Sequence, residues 1–152
     1  MASIKYFKQQ AKLLLKDYNF SKEHNFDLNA VFYDAPQEHF DIKNVFLKAH
    51  KQVGEELSLM MAQHLIARIS DFAKWESLIH ASESQREIGA LKLNAYKIGM
   101  DPSLIEEARQ LVMHELVADF AVDNSGNIVY TDEDELQIWK RVLIDLIELN
   151  YY

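Results

Sequence analysis

Leu57-Ser-Leu-Met-Met-Ala-Gln-His-Leu-Ile-Ala-Arg-Ile-Ser-Asp-Phe-Ala-Lys-Trp-Glu-Ser-Leu78 is the stretch around which the chain is organised. Ser58 can cap a helix whose apolar positions Met61, Leu65, Ile66 and Ile69 recur at helical spacing. Ser70-Asp71 breaks the run, and a second helix then carries Trp75, Leu78 and Ile79. Phe72 and Trp75 stand just past the break, where large aromatics can lock two helices together. The expectation is a helical corner built by packing.

Within this stretch, Ala62-Gln63-x-x-Ile66-Ala67-Arg68 followed by Phe72, Trp75 and Leu78 resembles a short helical segment of glyoxalase-related and other bacterial proteins. That segment commonly has Gly before the aromatic and Ser before the Trp, where this chain has Asp71 and Lys74. The resemblance spans residues 57–79. It implies a bacterial origin and a helical corner, and it brings no catalytic residue with it.

Composition sets the outer bounds. A chain of 152 residues fits one domain, 1–152, with a real core. Apolar residues make up 49% and there are only 4 Gly and 2 Pro, so elements should be long and turns few. The absence of Cys excludes disulfides, thiolate metal sites and cysteine nucleophiles. Lys5, Lys8, Lys12 and Lys16 interrupt any apolar leader, and no apolar run approaches a membrane span, so the expected location is the cytoplasm. The formal charge is −8 and is unevenly spread. Residues 1–100 nearly balance, whereas from Asp101 onward Arg109, Lys140 and Arg141 face about four times as many acids. An acidic C-terminal third disfavours nucleic acid and suits a basic protein partner.

Taken in order, Ser3 can cap a helix to about Asn19 with Ile4, Phe7, Ala11, Leu14, Leu15 and Tyr18 on one face. The four lysines flank that face, as a solvated stripe whose stems cover apolar surface. Residues 20–40 read as a loop with a short strand at 30–33, followed by a helix from Ile42 to about Val53. Beyond the corner, Ser82 or Ser84 starts a helix with Ile88, Leu91, Ala95 and Ile98 inward, and Gly99 ends it. Asp101-Pro102 restarts a helix, in competition with a capping box at Ser103-x-x-Glu106, and it runs to about Ala121 through Leu104, Ala108, Leu111, Val112, Glu115 and Leu116. Asp123-Asn-Ser-Gly-Asn127 is a turn that leads to a β ribbon near 128–130. Thr131 or Asp132 caps the last helix, whose apolar arc from Leu136 to Leu149 is either wedged between other helices or the interface of a homodimer through residues 136–149.

The chemistry-bearing patterns are few. Asp123, Ser125, Asn127, Thr131 and Asp134 stand at the first, third, fifth, ninth and twelfth positions of a Ca²⁺ loop of the EF-hand kind. Ile128 replaces the sixth-position Gly, and Asp134 is shorter than the usual bidentate Glu. His114-Glu115 lacks the second His of a zinc-protease helix, because position 118 is Ala. Glu76 and His80 stand four apart with no third ligand in sequence. An enzyme would need a pocket under residues 20–40, where His24, His39 or Tyr33 meets carboxylates.

The expected fold is mostly α, a single helical domain of six or seven helices with at most one small β ribbon, near 128–130 or 30–33. The expected function is a non-enzymatic interaction protein of the immunity, antitoxin or inhibitor kind. It would present Glu106, Glu107, Asp132, Glu133, Asp134 and Glu135 to a protein partner. The alternatives are a Ca²⁺- or ligand-responsive module using the 123–134 loop, and an enzyme without a recognisable motif.

Overall fold

The computed structural model describes residues 2–23, 39–42 and 56–151. The strand expected at 30–33, His24, Tyr33 and all but the first residue of the helix expected from Ile42 lie outside them. The described residues are mostly helical, in six helices: α1 (Ile4–Glu23), α2 (Leu59–Ile69), α3 (Trp75–His80), α4 (Glu83–Lys97), α5 (Pro102–Asp119) and α6 (Asp132–Tyr151). They contain no strand; Val122 and Ile128 form a single antiparallel bridge where a ribbon was expected. No helix among them is long and apolar enough to cross a membrane. The chain divides into two compact units, Ala2–Ile79 and His80–Tyr152.

In the first unit α1 packs on α2. Phe7, Ala11, Leu14 and Tyr18 bury one face of α1, against Ala62, Leu65, Ile66 and Ile69 as the buried positions of α2. The helix runs four residues beyond Asn19, to Glu23. Lys5, Lys8, Lys12 and Lys16 are exposed, as a solvated flank requires. Ser58 caps α2 as its sequence indicates, its hydroxyl accepting the Met61 N–H at 3.1 Å, a bond that typically stabilises a helix by about 1 kcal/mol.

The corner after α2 is a Schellman turn. The Phe72 N–H reaches the Ala67 carbonyl at 2.9 Å and the Asp71 N–H the Arg68 carbonyl at 3.1 Å. Asp71 takes φ = 70°. A left-handed residue is what this geometry demands, and Asp tolerates it better than most side chains.

In the second unit α6 packs against both α4 and α5, while α4 and α5 touch little. Leu136, Ile138, Trp139, Val142, Leu143 and Leu146 of α6 are buried with Ile88 and Ala95 of α4 and Ala108, Val112 and Leu116 of α5. The last helix is therefore the wedge of its own unit. Ile144 and Leu149 remain exposed. Lys92 places its ammonium 4.4 Å from the centroid of the Trp139 ring, a cation–π contact at the edge of this core. Helix α4 ends in a second Schellman turn, with Gly99 at φ = 81° and the Met100 N–H on the Ala95 carbonyl. Two residues of these helical stripes face solvent. Ile98 falls in this C-terminal turn, and Leu111 lies on the shoulder of α5 away from α6.

Candidate functional site

The six acids singled out by sequence divide into three kinds of use. At the start of α6, Thr131 and Asp134 form a reciprocal capping box. The Asp134 N–H donates to Thr131 Oγ1 at 3.1 Å, and Asp134 Oδ2 accepts the Thr131 N–H at 2.8 Å. Asp132, Glu133 and Glu135 reach across to the start of α4. Asp132 accepts from Ser82 Oγ at 2.5 Å and from Gln85 Nε2 at 3.1 Å. Glu133 accepts from Ser84 Oγ at 2.9 Å, and Glu135 from Gln85 Nε2 at 2.9 Å. Ser82 serves twice, because its hydroxyl also accepts the Gln85 N–H as the cap of α4. Three carboxylates thus lace the N-terminal ends of two helices together. Glu133 also accepts from Gln137 Nε2 at 2.7 Å. That bond first, and the Ser84 hydroxyl second, hold its carboxyl below the ordinary value.

Glu106 and Glu107 belong to a different surface, on α5. Glu106 pairs with Arg109 and accepts from Gln110 Nε2 at 3.0 Å. Glu107 is exposed. The cap of α5 is Asp101, which accepts the Ser103 N–H at 2.8 Å, so Asp101-Pro102 wins over the competing capping box. That backbone bond is also the main cause of the lowered pKa of Asp101, ahead of the Ser103 hydroxyl.

The expected Ca²⁺ ligands fall into two groups. Asp123 Oδ1 accepts the N–H groups of Ser125 and Asn127 at 2.8 and 2.9 Å, an Asx turn closed by Gly126 at φ = 84°. Asp123, Ser125 and Asn127 thus share one turn, while Thr131 and Asp134 share the cap of α6. Among the described residues, no three His, Cys, Asp or Glu side chains are grouped to hold a metal ion. Glu76 faces Lys74 at 3.4 Å, and Glu115 pairs with Arg141.

Sequence reasoning missed one polar anchor. Asp17, on α1, is 5% exposed and its Oδ2 accepts the N–H groups of both His39 and Phe40 at 2.8 Å. The signal was present: Asp17 stands three residues after Leu14, in phase with the buried face of α1. An acid in that phase must find donors. It thereby fixes the backbone that seats Phe40 and Ile42, both fully buried. His39, one of the residues considered for a pocket, is half-buried and held by this bond.

Charge follows the division into units. Of the ionisable residues, His80–Tyr152 carries fourteen acids and six Lys or Arg, whereas Ala2–Ile79 carries ten of each. The second unit therefore holds the whole formal charge of −8. Its late bases are engaged with acids: Arg109 with Glu106, Arg141 with Glu115, and Lys140 with Glu87 at 4.0 Å. No family model, curated protein or solved structure matches this chain.

Proposed function

We propose that the chain is a non-enzymatic interaction protein whose acidic unit, His80–Tyr152, binds a basic protein partner in the manner of an immunity protein, an antitoxin or an inhibitor. The observation that carries this reading is that the net charge falls in one compact unit whose late bases already face acids. Such a field steers a basic partner and speeds its association. The acids divide the work. Asp132, Glu133, Asp134 and Glu135 contribute to the field but are held by α4 and by their own cap. Glu106 and Glu107 stand on the outer side of α5, where they meet a partner directly.

The test is affinity capture on the full chain at low and at physiological salt, followed by the same capture on Glu106→Lys/Glu107→Lys. The expected result is one stoichiometric basic protein, released as salt rises, and bound at least about tenfold more weakly by the double variant. Equal capture by the variant removes the acidic-surface reading.

A further inference from the structure

Helix α1 turns a stripe of one charge sign outward. Of the five exposed residues between Ile4 and Tyr18, four are Lys5, Lys8, Lys12 and Lys16, and the fifth is Gln9. By helical geometry the four lysines fall within an arc of about 80°, in axial steps of about 4.5, 6 and 6 Å. The acid of the same span, Asp17, is buried and turned to the amides of His39 and Phe40. The first turn of α1 holds no acid. Among the described residues no carboxylate pairs with Lys5, Lys8 or Lys12. The arrangement is unfavourable for the helix alone. Lys5 stands at the positive end of the dipole, and Lys8, Lys12 and Lys16 repel one another at four-residue spacing. A row of anions along the stripe relieves both.

Three kinds of polyanion could lie there, and the structure favours one. A helix that enters a bilayer surface needs a free apolar face, whereas Phe7, Ala11, Leu14 and Tyr18 are buried in the packing of α1 on α2. An acidic protein surface offers exposed ion pairs, each of which contributes little. A nucleic-acid strand carries phosphates at a regular spacing close to the lysine steps, and each phosphate neutralised releases a condensed counterion. Phe20, 39% exposed and about one turn past Lys16, adds a ring on which a base can stack. Lysines hold phosphate as point charges and, without base-edge contacts, read no sequence. Ala2–Ile79 has acids and bases in equal number, so the acidic unit is not the one that carries the stripe. We propose that the Lys5–Phe20 face of α1 binds single-stranded nucleic acid through its phosphates, without sequence preference. This goes beyond the partner reading of the acidic unit and does not depend on it.

The experiment titrates the full chain into fluorescent oligothymidine and follows anisotropy across a salt series. The expected result is saturable binding whose log affinity falls against log salt with a slope of about −3, as four phosphate contacts require. Lys8→Gln/Lys12→Gln should halve that slope and weaken binding at least about tenfold at low salt. The melting temperature should hold, because both residues are exposed. Phe20→Ser should weaken binding about tenfold and leave the slope unchanged, since stacking releases no counterion. Equal binding by Lys8→Gln/Lys12→Gln would overturn the α1 site, and no binding at low salt would overturn the proposal outright. Tighter binding of a duplex of the same length, or of vesicles rich in phosphatidylserine, would overturn the single strand in favour of that ligand. Polyglutamate that competes as well as unlabelled oligothymidine at equal charge would overturn it in favour of an acidic peptide.

Discussion

The two units use carboxylates in opposite ways. In Ala2–Ile79, with acids and bases in equal number, one buried carboxylate, Asp17, clasps two backbone amides. In His80–Tyr152, which holds all the net charge, exposed and half-buried carboxylates lace helix ends and cap turns. The difference is one of dielectric. A buried carboxylate must be met by donors, and each such bond is strong because water cannot compete. An exposed one can be met by water as well as by Ser or Gln, so its contact adds little to stability and leaves its field available to a partner. The first unit turns one carboxylate, Asp17, inward for architecture. The second keeps most of its charge outside.

The sharpest way to break this comparison is at Asp17. Asp17→Ala strands the half-buried amide of His39 and the buried amide of Phe40, and the loss should be about 3 kcal/mol. Asp17→Asn keeps one acceptor oxygen and should cost less than the alanine variant. Urea unfolding measures the loss, and amide exchange at Phe40 localises it: faster exchange there is the expected signature. An unchanged Phe40 exchange rate in Asp17→Ala would show that the clasp is not what holds this segment.

A smaller effect belongs to the second unit. Ser82→Ala removes both the cap of α4 and the hydroxyl donated to Asp132, for an expected loss of about 1 kcal/mol. Ser84→Ala removes only the contact to Glu133 and should cost less. Urea titrations of the two variants rank them. If Ser84→Ala proves the more damaging, the cap is not the main role of this serine pair, and the lacing carries more weight than its exposure suggests.

Helix periodicity and caps made most of the fold legible. Ser58, Ser82, Asp101 and Thr131 each cap the helix their sequence context indicates. Gly99 and Asp71 each end one in the left-handed turn that stops a helix. What periodicity could not give was pairing across the chain. Ser82, Ser84 and Gln85 lie about fifty residues from the acids they meet, and no local pattern links them. The site was legible as a charge total and not as a surface. Four of the six acids chosen from sequence also serve the fold. Leu111, which shares the helical stripe of Leu104 and Ala108, is instead exposed.

Glu133 offers the smallest effect and the finest test of how an exposed carboxylate contributes. Hydrogen bonds from Gln137 and Ser84 hold its folded pKa below the ordinary value of 4.5. Desolvation works the other way, and repulsion from Asp134 with it. Because the folded value is depressed, the ionised group stabilises the fold fully above the ordinary carboxylate pKa. That contribution fades as pH falls through the folded value, where the proton binds both states. Glu133→Gln lacks the term at every pH. The stability difference between the native chain and Glu133→Gln should therefore be constant from neutrality down to about pH 5 and shrink below it. Urea midpoints at stepped pH follow that difference, and the side-chain carboxyl shift of Glu133 gives its titration directly. Titration at or above the ordinary value would mean that water, and not Gln137 and Ser84, solvates the carboxylate. The lacing of α4 to α6 would then rest on Asp132 and Glu135 alone.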